Sequence, residues 1–204
     1  MGQENKTTLE FHEVEVKFRM EGEKLFEWKK LVAELDGLKG DPIYVESDDI
    51  YYTKKITDEE EFEFVRYRFS NLRKDKRAEL TIKSKTKSGD NIVRKETNVR
   101  VDNNDKATVE SFVNGLGFEY NFRISKMVWI YNFEDATLPF YSVIDENGKV
   151  EHFAEIEVNE EKLKELTEDQ AWDIIKKYEE ILAPLGITHK NRLRKSLFEM
   201  YRKG

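Results

Sequence analysis

The stretch Glu13-Val14-Glu15-Val16-Lys17 alternates charge and valine at period two. In a β-strand this spacing places Glu13, Glu15 and Lys17 on one face, with Val14, Val16 and Phe18 on the other. Two carboxylates beside an ammonium can hold a divalent cation next to a phosphate. A single strand of this kind also describes a half-solvated surface. The recurrence of the pattern along the chain is what decides the reading.

Arg66 and Arg68 alternate with Val65, Tyr67 and Phe69. Lys83 and Lys85 take the parity opposite to Leu80 and Ile82, while Arg94, Glu96 and Asn98 alternate with Val93, Thr97 and Val99. Glu155 and Glu157 alternate with Ala154, Ile156 and Val158. One face can take helices and the other is densely charged. Two architectures accept this pattern: an open sheet with its charged face in water, or a closed antiparallel barrel lined with charge. The barrel is favoured, because the strands are numerous enough to close and closure removes edges. The charge is also sorted. Bases dominate Phe62–Lys85, and acids dominate the first and last strands. Like charges about 4 Å apart repel by roughly 4 kcal/mol at an effective dielectric near 20, so a basic interior calls for a polyanion with a metal.

The chain has 204 residues, enough for one domain with a real core. Charged residues make up 38%, against roughly 25% in ordinary domains. The net charge of -7 argues against a general nucleic-acid or membrane surface. The absence of cysteine excludes disulfides and thiolate metal sites, and it agrees with a cytoplasmic location. The polar start has no apolar signal region, and no apolar run reaches membrane-spanning length.

Strands are expected at Leu9–Phe18, Ile43–Tyr52, Phe62–Phe69, Glu79–Lys85, Ile92–Val101, Phe122–Phe133, Tyr141–Asp145 and His152–Val158. Helices are expected over Glu23–Leu35, over Lys106–Leu116, from a capping box at Thr167 and Gln170, and over Asn191–Arg202. No Pro/Ser-rich linker divides the chain, so the expectation is one α+β domain with an antiparallel sheet. His12, His152 and His189 lack ligand spacing, and there is no Gly-x-x-x-x-Gly-Lys loop. Leu72–Arg77 reads as a solvated basic turn that could touch an RNA end.

Taken in order, the charged motifs resemble the CYTH family, the triphosphate tunnel metalloenzymes. Glu13-x-Glu15-x-Lys17 is similar to the family's N-terminal ExExK signature. The likeness continues through Asp49-Ile50-Tyr51-Tyr52, Arg66-x-Arg68, Lys83-x-Lys85, Arg94-x-Glu96, Lys126, and Asp145 followed by Phe153-Ala154-Glu155-Ile156-Glu157. It covers roughly residues 9–200. The resemblance implies one tunnel domain over residues 1–204, an eight-stranded antiparallel β-barrel with helices packed outside. Members act on inorganic tripolyphosphate, thiamine triphosphate, nucleoside triphosphates or RNA 5′-triphosphate ends, and a separate branch makes cyclic AMP from ATP.

Carried onto this chain, the resemblance implies Mg²⁺ or Mn²⁺ held by Glu13, Glu15, Glu96, Asp145, Glu155 and Glu157. Lys17, Arg66, Arg68, Lys83, Lys85, Arg94 and Lys126 are the implied phosphate-binding residues. Glu13, Glu15, Lys83 and Glu157 are those expected to carry the reaction. The implied function is metal-dependent hydrolysis of a triphosphate. The alternatives are a class IV-type adenylyl cyclase and a non-catalytic module that binds polyphosphate or nucleotide. The implied partner is a small-molecule triphosphate, with no membrane and no general nucleic-acid binding, on a monomer or homodimer. For Asp145, the following Asn147-Gly148 is a strong hairpin signal, so a plain turn role competes with the metal role. This chain departs from the family at Val128, where an arginine is common, and at Asn98, where an acid is common. Arg123 has the wrong parity to replace that arginine without a bulge.

Overall fold

The computed structural model describes residues 9–54, 64–72, 77–85, 93–102 and 104–203; the side chains of 9–13, 83–85 and 93–96 lie outside the described set. In chain order the elements are β1 (Leu9–Met20), α1 (Lys24–Ala33), β2 (Ile43–Thr53), β3 (Phe64–Ser70), β4 (Ala78–Lys85), β5 (Val93–Arg100), α2 (Lys106–Gly115), β6 (Glu119–Asn132), β7 (Ala136–Asp145), β8 (Val150–Val158), α3 (Glu160–Leu163), α4 (Glu168–Leu182), β9 (Arg192–Leu193) and α5 (Leu197–Tyr201).

Among the described residues the strands form one antiparallel sheet in the order β5-β4-β3-β2-β6-β7-β8-β1-β9. β1 joins its two ends. Its first half, Leu9–Val14, pairs with β5, and its second half, Glu15–Met20, pairs with β8. The seam with β5 is therefore partial, and β9 takes up Lys17 and Phe18 beyond it. This ninth, two-residue strand is the difference from the expected eight. A bulge at Tyr51/Tyr52 shifts the register between β2 and β6.

The outer face is apolar, as the period-two pattern requires. α1 and α4 lay Trp28, Val32, Ile175 and Leu182 on Val16, Phe18, Phe140 and Ile156. α2 lays Val109 and Val113 on Ile50, Tyr52, Val65 and Tyr67. Each such fully buried side chain contributes about 1.5–3 kcal/mol relative to exposure. The Thr167–Gln170 capping box starts α4 where the sequence puts it.

Three expectations need correction. β7 starts at Ala136 rather than Tyr141. Pro139 lacks an N–H; it pairs with Ile130 of β6, and the β7–β8 ladder has no pair at Leu138 or Pro139. The helix expected over Asn191–Arg202 is a 3-10 turn, then β9, then α5. Its start is a second capping box, in which the Ser196 hydroxyl accepts from the Glu199 N–H. Finally, charge covers only part of the inner face. Tyr51, Phe64, Phe122, Ile124, Tyr141, Val143 and Phe153 form an apolar cluster there, and Leu197 and Phe198 of α5 pack into it. Phe198 stacks on Phe64 with centroids 4.5 Å apart.

Candidate active site on the inner face of the sheet

Alternation along the strands delivers the charged residues to one face. The register then sets who stands opposite whom. Lys17 on β1 lies across from Glu155 on β8, and Glu15 lies across from Glu157. Asp49 on β2 lies across from Arg68 on β3 and from Ile124 on β6, while Ser47 lies across from Lys126. Like charges directly opposite one another destabilise a sheet, so the Glu15–Glu157 pair is a place that gains from a cation.

The described side chains form two linked groups. On the acidic side, Lys17 Nζ is 2.9 Å from Glu155 Oε1, and the Tyr141 hydroxyl donates to the same oxygen at 2.7 Å. Burial alone would raise the Glu155 carboxyl, but Lys17 and Lys126 override it and hold it below its usual range. On the basic side, Arg68 donates through Nε and Nη2 to the two oxygens of Asp49, both at 2.7 Å. Asp49 is 0% exposed. Its burial would raise the carboxyl, and the Arg68 guanidinium instead holds it well below the usual carboxylate range. Arg66 donates to the Thr81 hydroxyl at 2.9 Å and stands 3.8 Å from Glu79.

Lys126 stands between the groups. It is 9% exposed, and its Nζ sits 4.3 Å from the centroid of the Tyr141 ring. Among the described residues it has no carboxylate within salt-bridge distance. Burial pushes its ammonium down to about 7, Arg68 and Arg66 push the same way, and Asp49 and Glu155 oppose them. On the Arg68 side, a cavity of about 230 Å³ is lined by Ser47, Arg68, Ser70, Glu79 and Arg100.

The structure thus brings together Glu15, Lys17, Arg66, Arg68, Lys126, Glu155 and Glu157 of the residues expected from sequence. For Glu13, Lys83, Lys85, Arg94 and Glu96 the backbone register puts Glu13 and Lys85 opposite Arg94, and Lys83 opposite Glu96; their side chains lie outside the described residues. Asp145 occupies the β7–β8 hairpin. Its Oδ1 accepts from the backbone N–H of Asn147 at 2.8 Å and of Lys149 at 2.9 Å, and these bonds hold its carboxyl below the usual range. Arg123 points to the outer face, where it pairs with Asp48.

Among the described residues no group of three or more His, Cys, Asp or Glu stands close enough to hold a metal by itself. The donor chemistry nonetheless fits a hard divalent cation. Carboxylate oxygens are its ligands of choice, and Mg²⁺ commonly keeps several waters and binds one or two carboxylates. The facing Glu15 and Glu157, with Glu155 beside them, supply that set.

Two residues of the network carry no role in the sequence reading. Asp49 shares the parity of Tyr51 on β2, and a buried acid of that parity faces the Arg66–Arg68 strand. Tyr141 was hidden because its strand was expected to start there, with no inner face to assign.

Comparison with known proteins agrees with this fold. No curated protein matches the chain. Among solved structures it is similar to the PH1012 protein from Pyrococcus horikoshii OT3, at 22% identity and a TM-score of 0.67, over 92% of this chain and 98% of that one. The PH1819 protein of the same organism gives 23% and 0.67, over 92% and 97%. A proposed adenylate cyclase from Bacillus halodurans gives 14% and 0.57, over 94% and 98%. At these identities the likeness speaks for the fold alone. The family match says more: the CYTH domain matches residues 12–197, from the strand that carries Glu15 and Lys17 to the first residue of α5, and by that match the chain belongs to the CYTH family.

Proposed function

We propose that this chain hydrolyses a triphosphate bound on the inner face of the sheet, with Mg²⁺ or Mn²⁺. The observation that carries the reading is Lys126, a buried ammonium aimed into the interior, flanked by Arg66 and Arg68 and seated on a ring rather than a carboxylate. An unpaired buried cation is costly. A polyphosphate oxygen is the anion that would pair with it here.

Lys17, Arg66, Arg68 and Lys126 would contact phosphate oxygens, joined by Lys83, Lys85 and Arg94. Arginine offers a bidentate fork and lysine a point charge. Asp49 grips one edge of the Arg68 guanidinium, through Nε and Nη2, and so would aim the N–H groups that remain. Glu13, Glu15, Glu155 and Glu157 would hold the cation, with Glu96 and Asp145 as further candidates. When bound, the cation would neutralise phosphate charge and supply a water of lowered pKa. The chain's own cations meet charge spread over the transferring phosphoryl oxygens, where most of this catalysis arises. The partner is a small-molecule triphosphate. Among the described residues, no helix is long and apolar enough to cross a membrane.

The test is a panel of inorganic tripolyphosphate, thiamine triphosphate and nucleoside triphosphates with Mg²⁺ or Mn²⁺, with products identified by mass. Orthophosphate with the matching diphosphate is the expected result. Cyclic AMP with pyrophosphate would overturn hydrolysis in favour of a cyclase. Metal-dependent binding without any product would leave a binding module.

A further inference from the structure

Tyr141 of β7 touches both sides of the charge network. It is 1% exposed and lies within the inner-face apolar cluster. Its hydroxyl donates to Glu155 Oε1 at 2.7 Å, and its ring lies under Lys126 Nζ, 4.3 Å from centroid to nitrogen. Lys17 Nζ reaches the same Oε1 at 2.9 Å. Both donors therefore fall on one oxygen of Glu155. Among the described residues, Oε2 accepts no hydrogen bond.

We propose that Tyr141 is a positioning residue that ties the acidic wall to the cationic one, its hydroxyl aiming Glu155 and its ring seating Lys126. The inference rests on the reading of Glu155 as a cation ligand and Lys126 as a phosphate contact. A carboxylate pinned through Oε1 presents Oε2 in a fixed direction, so less freedom remains to be lost when a hard cation arrives. Partners in such outer positions typically alter metal affinity by 10–100-fold when removed. The ring acts differently. Its negative face holds the ammonium in place by quadrupole attraction without using up its charge. A carboxylate in the same place would neutralise Lys126 and compete with the phosphate. A ring holds the cation and leaves it available.

The two roles separate by substitution. Tyr141→Phe keeps the ring and removes the hydroxyl, whereas Tyr141→Leu removes both. Tripolyphosphate binding to the full chain is followed by calorimetry, first without metal and then along a Mn²⁺ titration, with melting temperatures recorded in parallel. In Tyr141→Phe the Mn²⁺ concentration for half-maximal enhancement of binding is expected to rise about tenfold, with metal-free affinity kept within about twofold. Tyr141→Leu is expected to show the same metal defect, and its metal-free affinity should drop about fivefold because Lys126 loses its seat. A purely structural role would lower both melting temperatures and move neither quantity. An unchanged Mn²⁺ requirement in Tyr141→Phe overturns the inference even if Tyr141→Leu fails to fold, and leaves the proposed function intact. If the wild-type chain binds no tripolyphosphate with or without Mn²⁺, the proposed function falls, and this inference falls with it.

Discussion

Tyr51, Phe64, Phe122 and Phe153 fill one end of the inner face, where Tyr51 stacks on Phe122 at 4.4 Å and Phe64 on Phe198 at 4.5 Å. Two residues along the same strands, the chemistry inverts: Asp49 follows from Tyr51 on β2, Arg66 from Phe64 on β3, and Glu155 from Phe153 on β8, with Lys126 two past Ile124 on β6. The aromatic end is self-sufficient. Its rings bury one another, α5 seals them, and the Tyr201 hydroxyl of α5 bonds Glu151 at 2.8 Å. The charged end is only partly neutralised. Asp49 and Glu155 have their cations, while Lys126 has a ring. One end of the interior supplies stability, and the other gives some up to keep charge ready for a ligand.

The comparison breaks most sharply on the acidic wall. Glu15→Gln removes a cation-holding charge and keeps the shape, so turnover should fall about 100-fold or more, with tripolyphosphate binding kept within about threefold. Steady-state rates and calorimetry on the same preparation check this. Full activity in the variant would remove Glu15 from the site.

Lys126→Met and Phe198→Ala should separate stability from binding. Lys126→Met should weaken tripolyphosphate binding about 10–100-fold, the worth of a charged hydrogen bond. The ligand-free protein should meanwhile become about 1–3 kcal/mol more stable, because a buried cation is replaced by an apolar chain of similar length. Phe198→Ala should cost about 3 kcal/mol of stability and leave the affinity within about twofold. Urea unfolding and binding isotherms on both variants give the four numbers. If both variants lose stability and affinity together, the two ends are one unit and the division fails.

The smallest effects are those of pH. Lys126 has a folded pKa near 7, below its ordinary value of 10.5. The unfolded chain thus binds more protons between these values, and the ligand-free protein should gain stability as pH rises from about 7 to 10.5. A bound polyanion should restore the ammonium, so tripolyphosphate binding at pH 8 should take up close to one proton. Titrations in buffers of different ionisation heat measure this, and Lys126→Met should abolish it. Asp49 and Glu155 are depressed instead. Their contribution is present at neutral pH and is lost as pH falls from the ordinary carboxylate range toward their lower folded values.

The inner and outer faces were legible because strands alternate, and parity alone told Arg66 and Arg68 from Val65 and Tyr67. Parity also placed Arg123 outside, where it meets Asp48 and where Asp48 accepts from the Ser125 hydroxyl at 2.5 Å. The tandem Asp48-Asp49 is the clearest case of two like residues with opposite addresses. The aromatic half is not legible from charge patterning, because Phe122 and Ile124 share the parity of Lys126 and carry no charge. α5 starts later than the sequence suggests because Ser196-x-x-Glu199 lies among bases and aromatics that read as one continuous helix. The Lys126–Tyr141 contact depends on β6–β7 register, which a single strand's pattern does not fix.

The most direct test of the central claim is the melting temperature of the wild-type chain and of Lys126→Met, each with and without millimolar tripolyphosphate and Mg²⁺. A ligand at 100 times its dissociation constant stabilises by about 2.7 kcal/mol, or roughly 5–10 °C for a chain of this size. The wild type should show a rise of that order, and Lys126→Met should start higher and rise by much less. No rise in the wild type, or an equal rise in both, would contradict the assignment of the charged end as a triphosphate site centred on Lys126.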